Sequence, residues 1–244
     1  MKGTRKIIFM MLMMTLFSML WSQNKLTFIC EEYPPYEYTQ NKVPKGLDVE
    51  IIDRVCKEAK LDYEIQFYPW ERCMQMIKEG RADAIFGILK NNERLAFLKY
   101  PDKSVSMDKR VLITKKNNPS VINKLEDLKG RTVGVVRGYA YSDVFDKSEI
   151  FKKDISASSE SMIDKLKGDR FEFAAISEYV AKYYIGNESW SNFKVQPYII
   201  TSDPLYTAFS KKSENAMKLF DRYNNALNAL EKSGELTKIR NRYR

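Results

Sequence analysis

No histidine occurs anywhere in the 244 residues. That absence removes Ser-His-Asp and Cys-His triads, imidazole general bases and imidazole metal ligands together. Cysteine is scarce as well: Cys30, Cys56 and Cys73 are the only three, all lie in the first third of the chain, and no two are spaced as C-x-x-C. In an oxidising compartment one pair could close a disulfide and leave a third thiol. The spacing does not select the pair, and a buried free thiol is the alternative for at least one of them. No dense Lys/Arg run or arginine-rich arm is present, so the formal charge of +9 reads as cations solvating helix faces rather than as a nucleic-acid footprint. An anionic membrane surface or carboxylate-bearing ligands would suit the same charge.

Long apolar runs are absent too, with one exception at the start. Lys2, Arg5 and Lys6 precede an almost unbroken apolar stretch from Ile7 to Trp21, which predicts a signal peptide over residues 1–22 and export across the membrane. Ser22 supplies a small residue for cleavage, and Leu20 departs from the usual small-residue preference, so an uncleaved anchor is the alternative. Cys30 follows Thr27-Phe28-Ile29 and lacks the small residue that precedes a lipidated cysteine. Setting the leader's three cations aside lowers the charge of +9 by three, to +6. With 44% hydrophobic and 30% charged residues the chain is globular in composition, long enough for one large or two modest domains.

The chemistry concentrates in Asp83-Ala-Ile-Phe-Gly-Ile-Leu-Lys-Asn-Asn-Glu-Arg94, where a short apolar strand leaves a helix that ends at Gly80 and delivers a cation, Arg94. The same order of helix, glycine and apolar strand recurs around Gly168, in Met162 to Ile176, and delivers an anion, Glu178. One half presents a guanidinium and the other a carboxylate, as a two-lobed clamp for a small zwitterion would. Each has a plainer alternative: Arg94 as a surface residue capping the segment after it, Glu178 as a carboxylate stabilised by the helix it begins.

Along the chain, strands at Lys25–Cys30, Asp62–Phe67 and Ala84–Phe86 alternate with amphipathic helices at Leu47–Lys60 and Trp70–Lys78, a right-handed parallel βαβ series. Two prolines in Glu31-Glu-Tyr-Pro-Pro-Tyr-Glu-Tyr38 forbid helix and central strand. Tyr33, Tyr36 and Tyr38 there either pack the loop or stack on a ligand, because ligands sit beyond the carboxyl ends of strands in open α/β sheets. After a strand at Arg110–Thr114 and a polar break at Lys115–Pro119, a short helix over 123–129 and a strand at Thr132–Val136 begin a second series. Arg137 to Asp143 is a glycine turn opening onto a helix, where backbone N–H groups favour an anion. Strands at Ile150–Ile155 and Phe171–Ile176 flank a helix through Lys167. A strand at Leu205–Ser210 and helices at Glu214–Glu231 and Leu236–Arg240 close the chain. The segments 110–114 and 205–210 are natural hinge crossings.

Taken in order, Tyr33-Pro-Pro-Tyr36, Gly46-Leu-Asp-Val-Glu50, Trp70, Gly80-Arg-Ala-Asp-Ala84, Glu93-Arg94, Asp127 through Gly138, Gly168 with Glu178, and the closing Ala226-Leu227, Leu230, Gly234, Leu236 and Ile239 resemble the extracytoplasmic (periplasmic) solute-binding proteins of family 3, the polar amino acid binders of ABC transporters. The resemblance covers nearly all of the chain after the leader. It implies the two-lobed α/β type II periplasmic binding protein fold: two βαβ lobes, residues 23–112 with 206–244 and residues 113–205, joined by two hinge strands around a ligand cleft. It also implies that Arg94 clamps a ligand carboxylate with a bidentate fork and Glu178 holds its ammonium. Gly87, Leu89, Tyr139 and Ala140 complete the polar contacts, and Tyr36 and Trp70 wall the cleft. The sequence departs from the usual pattern in having Glu at 178, Leu at 47, and no hydroxyl at Leu89 or Ala140.

The implied function is hinge-closing capture of a small carboxylate-bearing solute, a polar amino acid first, for delivery to a membrane ABC permease. A ligand-sensing module for a membrane receptor is the alternative. A periplasmic dehydratase-like enzyme on the same fold ranks below both, because no acid/base partner accompanies Glu178. The resemblance implies no enzyme activity, cofactor, metal or nucleic acid, and a monomer.

Overall fold

Leu26–Cys30 (β1) is apolar on both faces and almost wholly buried, as a strand covered on both sides of a parallel sheet must be. The computed structural model describes residues 25–243, so the leader expected over 1–22 lies outside the described residues. A turn at Tyr33 to Tyr36 and a small hairpin of Tyr38–Gln40 (β2) and Val43–Lys45 (β3) follow β1. The hairpin went unpredicted, since Pro44 sits inside it.

Leu47–Ala59 (α1) turns Leu47, Ile51, Ile52 and Val55 inward. Tyr63–Phe67 (β4), Trp70–Glu79 (α2) and Ala84–Leu89 (β5) complete a parallel trio in the order β4-β1-β5. A short helix, Asn92–Leu95 (α3), and a two-residue strand, Leu98–Lys99 (β6), lead into the long Ser106–Lys115 (β7).

The second half repeats the plan. Thr132–Val136 (β8), Lys152–Ser156 (β9) and Phe173–Ser177 (β10) form a parallel trio in the order β9-β8-β10, with Ser159–Lys167 (α5) between the last two. The helix expected after Gly138 starts only at Asp143 and makes a single turn, Asp143–Asp146 (α4), capped by the Ser142 hydroxyl, which accepts from the Phe145 N–H. A single turn carries only a short dipole for an anion there to draw on. The helix expected over 123–129 is one 3-10 turn, Leu125–Leu128.

Glu178–Ile185 (α6) and Asn187–Trp190 (α7) lead into Phe193–Ser210 (β11), eighteen residues long. The strand expected at Leu205–Ser210 is only the end of it. β11 pairs antiparallel with β7 from Phe193↔Lys115 to Leu205↔Ser106, through two register shifts. β5 joins β11 and β10 joins β7, so these two long strands knit the trios into one nine-stranded sheet among the described residues.

Glu214–Lys232 (α8) returns to the first half, capped by Ser213, whose hydroxyl accepts from the Ala216 N–H. Its apolar residues at 216, 219, 220, 223, 226, 227 and 230 are buried, the 3.6-residue stripe expected of it. Phe28, Phe86, Phe209 and Tyr223 meet beneath it. Burying each such ring stabilises the fold by about 1.5–3 kcal/mol. Glu235–Asn241 (α9) ends the described chain. Cys30, Cys56 and Cys73 are all free and buried, with no disulfide among them.

Candidate functional site

Both trios share the order second-first-third, which places a topological switch point beside the first strand of each. The loops beyond the carboxyl ends of β1, β5, β8 and β10 converge. They carry Glu31 and Tyr33, Leu89 to Arg94, Gly138 to Ala140, and Glu178.

Arg94 sits in α3, where Asn91 caps the helix by accepting from the Arg94 N–H at 2.9 Å. The cap fixes the backbone, and the side chain turns inward to only 5% exposure. There one Nη1–H donates to the Leu89 carbonyl at 3.0 Å, and the guanidinium lies 5.5 Å from the Trp70 ring centre. A guanidinium has five donors. No other hydrogen bond and no ion pair engages this one among the described residues. Burial works against its charge and lowers its pKa, so Arg94 is a desolvated cation with most of its donors unspent.

An inner pocket of about 10 Å³, the room of a single water, brings together six of the eight expected residues: Trp70, Gly87, Leu89, Arg94, Tyr139 and Ala140. Tyr139 lines it edge-on to Tyr33 at 6.1 Å and to Trp70 at 5.9 Å. Trp70 reaches across the cleft, its indole N–H donating to the Gly138 carbonyl at 2.9 Å. Gly138 has φ +73°, and a Cβ there would stand 3.3 Å from the Trp70 ring. The pocket adjoins a wide cleft of about 1590 Å³ with Arg94, Arg137, Tyr141 and Tyr206 on its walls. That is larger than a usual small-molecule pocket.

Two expected residues are not in the pocket. Tyr36 lies behind it, stacked on Tyr33 at 5.7 Å, with its hydroxyl donating to the Met107 carbonyl at 3.0 Å. Glu178 opens α6 at the end of β10 as expected, but its carboxylate turns to Lys109, 3.5 Å away, and it is partly exposed. It lines neither the inner pocket nor the wide cleft. Lys109 lies on the neighbouring strand β7, and the contact between these two half-exposed side chains is a weak one.

Sequence reasoning passed over Arg110 and Glu31, both of which line the pocket. Arg110 is 6% exposed, and its Nε donates at 2.8 Å to Asp108, itself wholly buried. Asp108 also accepts from the Tyr33 hydroxyl at 3.0 Å. Burial works against the Arg110 charge, but Tyr33 and Asp108 outweigh it and its pKa is raised. The signal available in the sequence was the alternation of Asp108 and Arg110, two residues apart on one face of a strand otherwise apolar at its far end.

Burial pushes the Glu31 carboxyl up to about 8 against the opposing pull of Tyr139 and Arg110. Behind the pocket, burial also raises the pKa of Glu37, and that of Asp48 to about 7. The Ser106 hydroxyl donates to Asp48.

The profile of a family described as bacterial extracellular solute-binding proteins, family 3, matches residues 27–244. The arginine-binding extracellular protein ArtP of Bacillus subtilis (strain 168) is 28% identical over 217 residues, 87% of this chain and 82% of the relative. Among solved structures, the arginine-, lysine-, histidine-binding protein ArtJ of Geobacillus stearothermophilus superposes with a TM-score of 0.76 at 25% identity, covering 89% of this chain and 94% of that one. An ancestral arginine-binding protein bound to arginine gives 0.79 at 22% identity, covering 90% and 97%. The two-lobed type II periplasmic binding protein fold expected from the sequence is the fold of these neighbours.

Proposed function

The chain belongs to the bacterial extracellular solute-binding proteins, family 3, and from that membership we propose that it captures a small carboxylate-bearing solute, an amino acid first of all, for a membrane ABC importer. The observation that carries this reading is Arg94: a buried guanidinium with one donor spent and no counter-ion among the described residues. A buried cation in that state calls for an anion, and a planar five-donor fork suits a carboxylate. The relatives named for arginine and histidine binding place amino acids first among carboxylates.

Residues 23–112 with 206–244 form one lobe of this reading and residues 113–205 the other. β7 and β11 are the hinge strands. Arg94 is already buried, and closure over the ligand excludes water from the pair it forms, which strengthens the hold because a charge pair gains as the local dielectric falls. Trp70, Gly87, Leu89, Tyr139 and Ala140 shape the space around the bound carboxylate. The protein binds and releases without turnover, acts in the periplasm as a monomer, and has no role with nucleic acid. No described helix is long and apolar enough to cross a membrane, and the leader would be removed on export.

A thermal-shift screen of amino acids and small carboxylates tests the reading. A ligand at a hundred times its Kd stabilises a folded state by about 2.7 kcal/mol, a rise in Tm of about 5–10 °C for a chain of this length. Arg94→Ala should keep its far-ultraviolet circular dichroism and lose the rise. An unchanged rise in that variant would remove Arg94 from the site.

A further inference from the structure

The inner pocket is rich in donors and poor in free acceptors. Its Leu89 carbonyl already accepts from both Arg94 Nη1 at 3.0 Å and the Tyr100 hydroxyl at 3.1 Å, which uses both lone pairs. Its Ala140 carbonyl accepts from Arg110 Nη1. The one carboxyl on its wall is Glu31. A ligand ammonium brought here would meet two guanidinium groups and few acceptors.

Arg110 is bound as a group with capacity left over. A purely structural Arg–Asp pair gains most when two N–H groups meet two oxygens. Here only Nε meets Asp108 Oδ2, while Asp108 Oδ1 is buried with no partner among the described residues. Nη1 reaches Ala140, and no hydrogen bond engages Nη2 among the described residues. The guanidinium stands over Tyr139 at 5.7 Å and Tyr141 at 5.6 Å, on the wall that it shares with Arg94.

We propose that Arg94 and Arg110 are two anion-binding poles of one site, and that the ligand carries two carboxylates on a short spacer, as an acidic amino acid or an amine-free dicarboxylic acid does. This rests on the reading of Arg94 as a carboxylate clamp. Arg94, Tyr139 and Ala140 line both the inner pocket and the wide cleft, so the ligand lies where the two meet, with one carboxylate at Arg94 and the other at Arg110. Glu31, kept uncharged near neutral pH by its burial, neither cancels the two cations nor repels the second carboxylate. Glu178, the acid that would have favoured a ligand ammonium, lines neither the inner pocket nor the wide cleft.

Calorimetric titration of the full chain at pH 7 with matched pairs decides the matter: L-glutamate against L-glutamine, glutarate against butyrate, and L-arginine for a cationic side chain. The second carboxylate should tighten binding at least about tenfold within each pair, which is about 1.4 kcal/mol, and arginine should bind more weakly than glutamate. Tighter binding of glutamate than glutarate would identify an acidic amino acid, and the reverse an amine-free diacid.

Arg110→Gln alone leaves Asp108 buried without its cation, so the paired variant Asp108→Asn with Arg110→Gln is the one to titrate. It should bind the two members of each pair alike. Glutamine or arginine binding as tightly as glutamate, or a paired variant that keeps the tenfold preference, would overturn the proposal while leaving the Arg94 clamp in place. Binding unaffected by Arg94→Ala would overturn the clamp, and failure of every carboxylate to bind would overturn both.

Discussion

Gly87 offers the sharpest test of the packing behind the pocket. It sits in β5 at φ +67°, and a Cβ added there would fall 2.0 Å from Glu37 Oε1 and 3.0 Å from its carboxyl carbon. Gly87→Ala therefore carries two separable costs. The left-handed backbone costs an L-residue about 1–2 kcal/mol. Displacing a carboxyl that is 1% exposed costs about 1–3 kcal/mol as overpacking. Together they come to about 2–5 kcal/mol, a fall in Tm of about 4–20 °C for a chain of this size.

Only the second cost depends on Glu37. Among the described residues, that side chain makes no hydrogen bond that its removal would strand, and its Oε2 has no partner, so Glu37→Ala on its own should change stability little. Combined with Gly87→Ala it should recover the overpacking share and leave the backbone share. Urea unfolding of the four proteins, wild type, two single variants and the double, yields the coupling directly as a departure from additivity. We expect about 1–3 kcal/mol in favour of the double variant. Additive effects would show that the Gly87 and Glu37 positions do not contend for the same space.

The buried acids make stability depend on pH, in a stated direction. Asp48, with an ordinary pKa near 4 when unfolded and about 7 when folded, binds more protons in the folded state between those values, so its contribution is fully present below pH 4 and is lost as pH rises to about 7. Glu31 acts likewise up to about 8; Asp48→Asn and Glu31→Gln should flatten the slope of Tm between pH 5 and 8, and an unchanged slope in both would refute the assignment. Trp70→Phe removes the bond to the Gly138 carbonyl, worth about 0.5–1.5 kcal/mol, and should weaken ligand binding by about two- to twelvefold. Calorimetry would expose an unchanged affinity, which would mean that this bond does not hold the two sides of the cleft together.

Much of the architecture was legible because it rests on local periodicity. The stripe from Ala216 to Leu230 and the inward face of Leu47 to Val55 follow the 3.6-residue repeat. Where local signals misled, neighbours overrode them. The strand ending at Ser210 runs back to Phe193 because β7 supplies a partner along its length. The helix after Gly138 starts only at Asp143 because Ser142 caps it there and Trp70 holds the Gly138 carbonyl.

Sequence alone determined the repeated strand–helix–strand plan, the delivery of Arg94 at the end of β5, and the family resemblance, since each is a property of residues close together in the chain. It also placed Glu178 at the end of β10. Tertiary structure decided what those side chains face. Arg94 became a buried cation with no counter-ion among the described residues, Glu178 ended outside the pocket beside Lys109 of a neighbouring strand, and Arg110 entered the pocket with Asp108 behind it. The physical reason is that burial and charge pairing are set by strands that meet only in the folded sheet, and no spacing along the chain encodes which carboxylate finds which cation.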